Sequence, residues 1–184
     1  MSNTEMNLSQ DTASCIRAAQ LALGYPPELD PQADTLQTLP DILAQAVKKY
    51  PARPAYSCMG KTLRYADVDA LSQQFASYLQ NHTSLKAGDR VAIQLPNVLQ
   101  YPVAVFGALR AGMVVVNVNP LYTPDEMQHQ LSDSGAVAIV ILANMASKLQ
   151  DILSATALRH VIVTELADLH PLPQRLVINS VVRY

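Results

Sequence analysis

The chain has 184 residues, of which 49% are hydrophobic and 15% are charged. This length and composition predict one ordinary globular domain and exclude a disordered or fibrous protein. Thirteen basic and fifteen acidic residues give a net charge of -2, which removes the electrostatic basis for a nucleic-acid partner. The two cysteines, Cys15 and Cys58, form no CxxC pair, so the chain is predicted to have no disulfide framework and to suit a reducing cytoplasm.

The first 37 residues are predicted to be a leader that lies over the surface of the domain. Residues 1–40 contain five acidic residues and one basic residue, and turn-forming residues cluster at 24–27. The domain is predicted to begin near Thr38 and to span 38–184. Thr38, Pro40 and Asp41 are typical of a helix start, and the apolar spacing predicts a helix over 39–50.

The next two elements are predicted to be a β-hairpin and a helix. Short runs at 55–58 and 62–65 flank Gly60, which is suited to the turn. The apolar residues of the following helix recur at helical spacing. Its buried side is predicted to contain Val68, Leu71, Phe75, Tyr78 and Leu79.

From residue 90 onward the pattern predicts alternating strands and helices. The strands are expected at 91–95, 113–118, 136–142 and 160–164, buried on both faces. The helices are expected at 97–110, with Asn97 as its cap, at 124–134 and at 144–156. Thr123, Glu126 and Gly135 give the second of these helices a capping box and a glycine end. The fold class is therefore α/β, with a parallel sheet of about four strands and right-handed connections.

No motif in the sequence predicts a catalytic or metal site. No GxGxxG is present, and Gly107 and Gly112 have P-loop spacing without the required lysine, so helix packing explains them better. The histidines lack ligand spacing, and His129 is predicted to be a solvated surface residue. Asp125 and Glu126 are explained by their place in the first turn of a helix.

Three runs together resemble the adenylate-forming (AMP-binding) superfamily, and in particular bacterial long-chain acyl-CoA synthetases. They are GDRVAIQLPN at 88–97, FGALRAG at 106–112 and VNVNPLYT at 116–123. The resemblance implies a parent enzyme, a long-chain fatty-acid–CoA ligase. It would use ATP and magnesium to form an acyl-adenylate, and coenzyme A to form the thioester. It also implies the partial N-terminal domain of the adenylate-forming fold.

The resemblance implies that this chain by itself is inactive. The family's phosphate loop and catalytic lysine lie beyond the matched runs, so no catalytic residue is carried over and the fragment is expected to bind none of these cofactors. Its partners would be the rest of the same domain and the C-terminal domain, with fatty acid and coenzyme A bound by the parent. The loop Asn119, Pro120, Leu121 and Tyr122 is expected on the substrate or coenzyme A side, with Tyr122 as the best single candidate.

Two interpretations of the last segment, 172–184, stay open. It is apolar, with Arg175 and Arg183 as its charges, and Leu176 is among its apolar residues. Such a basic amphipathic segment either makes a weak peripheral contact with the inner face of a membrane or packs against the missing part of the domain. The chain is expected in the cytoplasm in both cases.

Two alternative functions also remain. The chain could be a non-catalytic binding module derived from such a ligase. A small Rossmann-like reductase is a third interpretation, which the missing glycine fingerprint weakens.

Overall fold

The computed structural model describes residues 38–182. The predicted leader, 1–37, and Arg183 lie outside the described residues. In chain order, the described elements are α1 (Leu39–Lys49), β1 (Pro54–Cys58), β2 (Lys61–Arg64), α2 (Tyr65–His82), β3 (Arg90–Gln94), α3 (Gln100–Arg110), β4 (Val114–Asn117), α4 (Pro124–Ser134), β5 (Ala138–Leu142), α5 (Ser147–Gln150), β6 (His160–Thr164) and α6 (Leu172–Val182).

Four parallel strands form the central sheet, in the order β4-β3-β5-β6. This confirms the predicted α/β architecture. The prediction that all four strands are buried on both faces is wrong for the two edge strands. Val114 in β4 is 47% exposed and Val163 in β6 is 51% exposed, whereas every residue of β5 is buried. An edge strand has a neighbouring strand on one side only, so more of its surface stays open to solvent.

The hairpin is confirmed as an antiparallel pair outside the parallel sheet. Strands β1 and β2 pair with Ser57 opposite Thr62, and their hydroxyl oxygens are 2.7 Å apart. The turn residues Met59 and Gly60 have φ angles of 48° and 79°. Two consecutive positive φ angles are typical of the tight turns that match the right-handed twist of a hairpin.

Within residues 38–182 the core consists of three apolar clusters. One lies on the face of the sheet covered by α2 and α3, and the second lies on the opposite face, under α4 and α5. The third joins α1, β2 and α2 around Leu43, Leu63 and Val68. Tyr78 was predicted to be buried in α2 but is 43% exposed. The buried stripe of α2 runs through Val68, Ser72, Ala76 and Leu79, and Tyr78 points away from it.

Helix α3 begins three residues later than predicted, and Asn97 does not cap it. The helix starts at Gln100, after turns in which the Val98 amide donates to the Pro96 carbonyl. The reason lies in Pro102, which has no amide hydrogen to donate within a helix. A start at Gln100 places Pro102 in the first turn, where amide groups need no helical partner.

The helix predicted over 144–156 is wrong, because the segment folds into shorter turns. It contains α5, of four residues, and a 3-10 turn at Leu153–Ala155. Its amide groups bond three residues back, as from Leu149 to Ala146 and from Ile152 to Leu149. Polar residues that favour turns recur along this stretch, and Leu153 is 40% exposed.

Helix α4 matches its prediction at both ends. Thr123 and Glu126 form the capping box, and Gly135 ends the helix with a φ of 63°. The last helix, α6, lies within the predicted segment 172–184. Among residues 38–182, no helix is long and apolar enough to cross a membrane.

Candidate functional site

The carboxyl ends of the four parallel strands form one edge of the sheet, where ligands bind in open α/β folds. From β3 the chain continues to β4, on one lateral side of the sheet, and from β5 it continues to β6, on the other side. The connections therefore diverge between β3 and β5, which makes this the topological switch point. The predicted substrate-side loop follows β4, directly beside β3.

Residues 119–122 form a turn that several hydrogen bonds hold in place. The Leu121 amide donates to Asn119 Oδ1 at 3.0 Å, and the Tyr122 amide donates to the Asn119 carbonyl at 3.2 Å. Lys148 Nζ donates to the Tyr122 carbonyl at 3.3 Å, which ties the turn to α5. Leu121 is 83% exposed at the tip, and Pro120 is half-buried. The turn thus presents an apolar tip on a fixed backbone.

Tyr122 is half-buried and lines a groove of about 520 Å³ along α4. The rest of the lining comes from the outer side of the helix: Asp125, Glu126, His129, Gln130 and Asp133. Three carboxylates and no lysine or arginine line it, so it does not suit a phosphate. His129 is exposed, as predicted for a surface residue.

Glu126 completes the cap of α4 rather than a catalytic pair. Its carboxylate accepts hydrogen bonds from the Thr123 amide at 2.8 Å and the Thr123 hydroxyl at 2.9 Å. These bonds, the backbone one foremost, hold the pKa of Glu126 below its ordinary value of 4.5. The structural interpretation of Asp125 and Glu126 therefore fits the geometry.

The described residues do not form a cradle for the phosphates of ATP. Gly107 packs against α2, where a Cβ atom would lie 2.7 Å from Phe75 Cδ1. Gly112 ends the α3 turn with a φ of 81°, and its carbonyl accepts a bond from the Gly88 amide at 2.8 Å. Both glycines serve packing and chain reversal. Over residues 38–182, no three acidic, histidine or cysteine side chains come together to hold a metal ion.

A larger groove, of about 820 Å³, lies between β2, the start of α2 and residues 168–170. Lys61, Arg64 and Asp67 line one part of it, and Arg64 and Asp67 form an ion pair at 3.1 Å. His170 forms part of the wall and is only 7% exposed, and neither ring nitrogen has a hydrogen-bond partner among the described residues.

Two of the membrane-facing candidates, Arg175 and Leu176, lie on α6, and the structure separates their environments. Arg175 Nη2 is 2.8 Å from Asp168 Oδ1, so its charge is paired within the protein. Leu176 is 66% exposed. Its apolar neighbours on the outward face are exposed to a similar extent: Leu172 at 71%, Val177 at 65% and Val181 at 71%. The outward face of α6 is therefore apolar and uncharged.

Sequence reasoning missed three buried polar side chains at the sheet edge and its loops. Gln94 at the end of β3 is fully buried, Gln100 opens α3 at 8% exposure, and Asn179 in α6 is also 8% exposed. Each bonds to the backbone of a loop that follows a strand. The available signal for Gln94 was a lone polar residue within the apolar run 91–95.

The sequence pattern of the AMP-binding enzyme family matches residues 43–182. The chain belongs to this family. Over 159 residues it is 50% identical to the long-chain-fatty-acid–CoA ligase of Escherichia coli O6:H1, a match that covers 86% of this chain and 28% of that enzyme. The corresponding ligase of Haemophilus influenzae is 47% identical over 162 residues, which cover 87% of this chain and 29% of the enzyme.

A solved structure of a Mycobacterium tuberculosis fatty acyl CoA synthetase has the same arrangement as this AMP-binding chain. It superposes with a TM-score of 0.63 at 26% identity, over 75% of this chain and 28% of the synthetase. The chain thus spans little more than a quarter of the length of the relatives that it matches. The sequence match confirms the family, and the superposition confirms the adenylate-forming fold.

Proposed function

We propose that this chain is part of a long-chain fatty-acid–CoA ligase. The single observation that carries the proposal is the 50% identity over 159 residues to a ligase of that name. In the parent enzyme, ATP with magnesium would activate a fatty acid as an acyl-adenylate, and coenzyme A would then take the acyl group. This reaction would take place in the cytoplasm, which suits a chain whose two cysteines form no CxxC pair.

The contribution of the chain is a scaffold that holds the 119–122 turn at the sheet edge. The position of this turn beside the switch point supports a contact with substrate or coenzyme A. Tyr122 is the residue best suited to that contact, because its backbone is held by Lys148 and its ring borders an open groove. In the parent enzyme, Tyr122→Ala is expected to raise KM for one substrate more than it lowers kcat, with Tyr122→Phe as the matched control.

By itself the chain is expected to form no acyl-adenylate. The residues present offer no glycine-rich phosphate loop. The test is fatty-acid-dependent exchange of pyrophosphate into ATP, measured for the purified 184 residues and for the parent enzyme in parallel. Exchange by the short chain alone would contradict the proposal.

The alternative function is a non-catalytic module that binds a full-length ligase. Pull-down of a purified full-length ligase by the 184-residue chain, together with a parent reading frame that lacks a downstream phosphate loop, would favour it. A phosphate loop encoded downstream in the same frame would favour the enzyme.

For the outward face of α6 we propose contact with the rest of the parent enzyme rather than with a membrane. Arg175 is paired with Asp168, so within the described helix this face has no unpaired cation to attract anionic lipid. Val177→Glu should then lower the melting temperature of the parent enzyme, whereas the control Gln174→Glu, at an exposed polar position, should not. Reduced binding of the Val177 variant to anionic vesicles at unchanged stability would instead indicate the membrane contact.

A further inference from the structure

Gln94 has an environment that the packing of the fold alone does not explain. It is the last residue of the central strand β3, is fully buried, and lies opposite Ile141 of β5 at the switch point. Its Nε2 donates to the Asn119 carbonyl at 3.2 Å, while its Oε1 has no hydrogen-bond partner among the described residues. A buried amide with one unpartnered oxygen contributes less to the stability of the fold than an apolar side chain of similar shape.

The partner of Gln94 is the residue that organises the 119–122 turn. The Asn119 carbonyl accepts from both Gln94 and the Tyr122 amide, and the Asn119 side chain accepts from the Leu121 amide. The orientation of the Gln94 amide follows from this contact, because only a nitrogen can donate to a carbonyl. One buried side chain therefore links the central strand to the turn that presents Leu121 and Tyr122.

Two other glutamines show that this device recurs at the same edge of the sheet. Gln100 Nε2 donates to the Glu165 carbonyl, after β6, at 2.7 Å, and Gln130 Nε2 donates to the Asn117 carbonyl, at the end of β4, at 2.9 Å. The Oε1 atoms of both are also buried without a partner. Since each glutamine holds a different piece of backbone, the effect of each can be measured separately.

We propose that Gln94 is a positioning residue for the 119–122 turn, and through it for the substrate contact of Tyr122. The proposal that Gln94 positions the turn applies to the 184-residue chain by itself. The proposal that it thereby affects the substrate contact of Tyr122 rests on the proposed function. The buried amide of Gln94 lowers the stability of the core, and its hydrogen bond restricts the turn. An apolar residue at position 94 should therefore loosen the turn without destabilising the core.

The test compares Gln94→Met with the matched control Gln100→Met, using hydrogen exchange of backbone amides in the 184-residue chain. In the Gln94→Met variant, the backbone amides of Leu121 and Tyr122 should exchange about fivefold to tenfold faster than in the wild type. This factor corresponds to the loss of one ordinary hydrogen bond. The amides of β3 should keep their protection and the melting temperature should stay the same or rise. Gln100→Met should leave the Leu121 and Tyr122 amides unchanged.

Unchanged exchange at Leu121 and Tyr122 would overturn the proposal, and so would faster exchange that extends through β3. Gln94→Leu provides a second apolar variant if the Met variant folds poorly. In the parent enzyme, Gln94→Met should raise KM more than it lowers kcat. A parent enzyme without ligase activity would refute the proposed function while the exchange result on the turn still stands.

Discussion

Gly107→Ala tests how closely α3 approaches α2. Ala is favoured over Gly in a helix by about 1 kcal/mol, so propensity alone predicts a more stable protein. The added Cβ atom would, however, lie 2.7 Å from Phe75 Cδ1 and 3.0 Å from the Ser72 carbonyl oxygen. The Phe75 ring can rotate to some extent, but the carbonyl belongs to the backbone of α2 and cannot move without shifting that helix.

The steric cost is expected to exceed the gain in propensity. Overpacking a close-packed core costs about 1–3 kcal/mol, and the fixed backbone oxygen puts this site at about 2–3 kcal/mol. The net loss of about 1–2 kcal/mol corresponds to a melting temperature lower by about 2–8 °C in a protein of this size.

The assay is urea unfolding of the wild-type and Gly107→Ala chains, each also in a Phe75→Ala background. Because Phe75→Ala removes the 2.7 Å contact, the penalty of Gly107→Ala should shrink in that background. A Gly107→Ala chain as stable as wild type, or more stable, would refute the steric argument. An equal penalty with and without the Phe75 ring would assign the whole effect to the two contacts that remain at 3.0 Å, with the Cβ atom of residue 75 and with the Ser72 carbonyl oxygen.

Two further predictions concern the ends of helices. The pKa of Glu126 is lowered by its bonds to Thr123, so its stabilising effect is complete above the ordinary value of 4.5 and is lost as the pH falls through the lowered value. Melting curves of wild type and Glu126→Gln should therefore converge in acid, and a constant difference from pH 7 to 3 would contradict this. Asn179 accepts from the Ala167 amide at 2.9 Å, so Asn179→Ala should cost about 1–3 kcal/mol and expose α6 to protease. The control is the neighbouring Ser180→Ala, which loses only a hydrogen bond within its own helix. Equal resistance of the two variants to protease would refute the anchoring role of Asn179.

The elements defined by short stretches of sequence could be predicted from the sequence alone. Thr123, Glu126 and Gly135 define α4 through interactions within four residues, and Gly60 lies in the turn that joins two adjacent strands. The family resemblance at 88–123 was likewise visible in the sequence, since it depends on residue identity and order. Local patterns determine such features because the contacts that stabilise them are close along the chain.

Only the tertiary structure decided the features that depend on distant partners. The pattern for β6 is the same whether it lies at the centre or the edge of the sheet, and the exposure of Val163 follows from strand order. Arg175 reads as a basic residue of an amphipathic segment until Asp168 is found beside it. Gln94 reads as an interruption of an apolar strand until the Asn119 carbonyl, 25 residues further along the chain, is placed above it. Burial and pairing are set by neighbours that the packing of the chain brings together, and these do not appear in a local pattern.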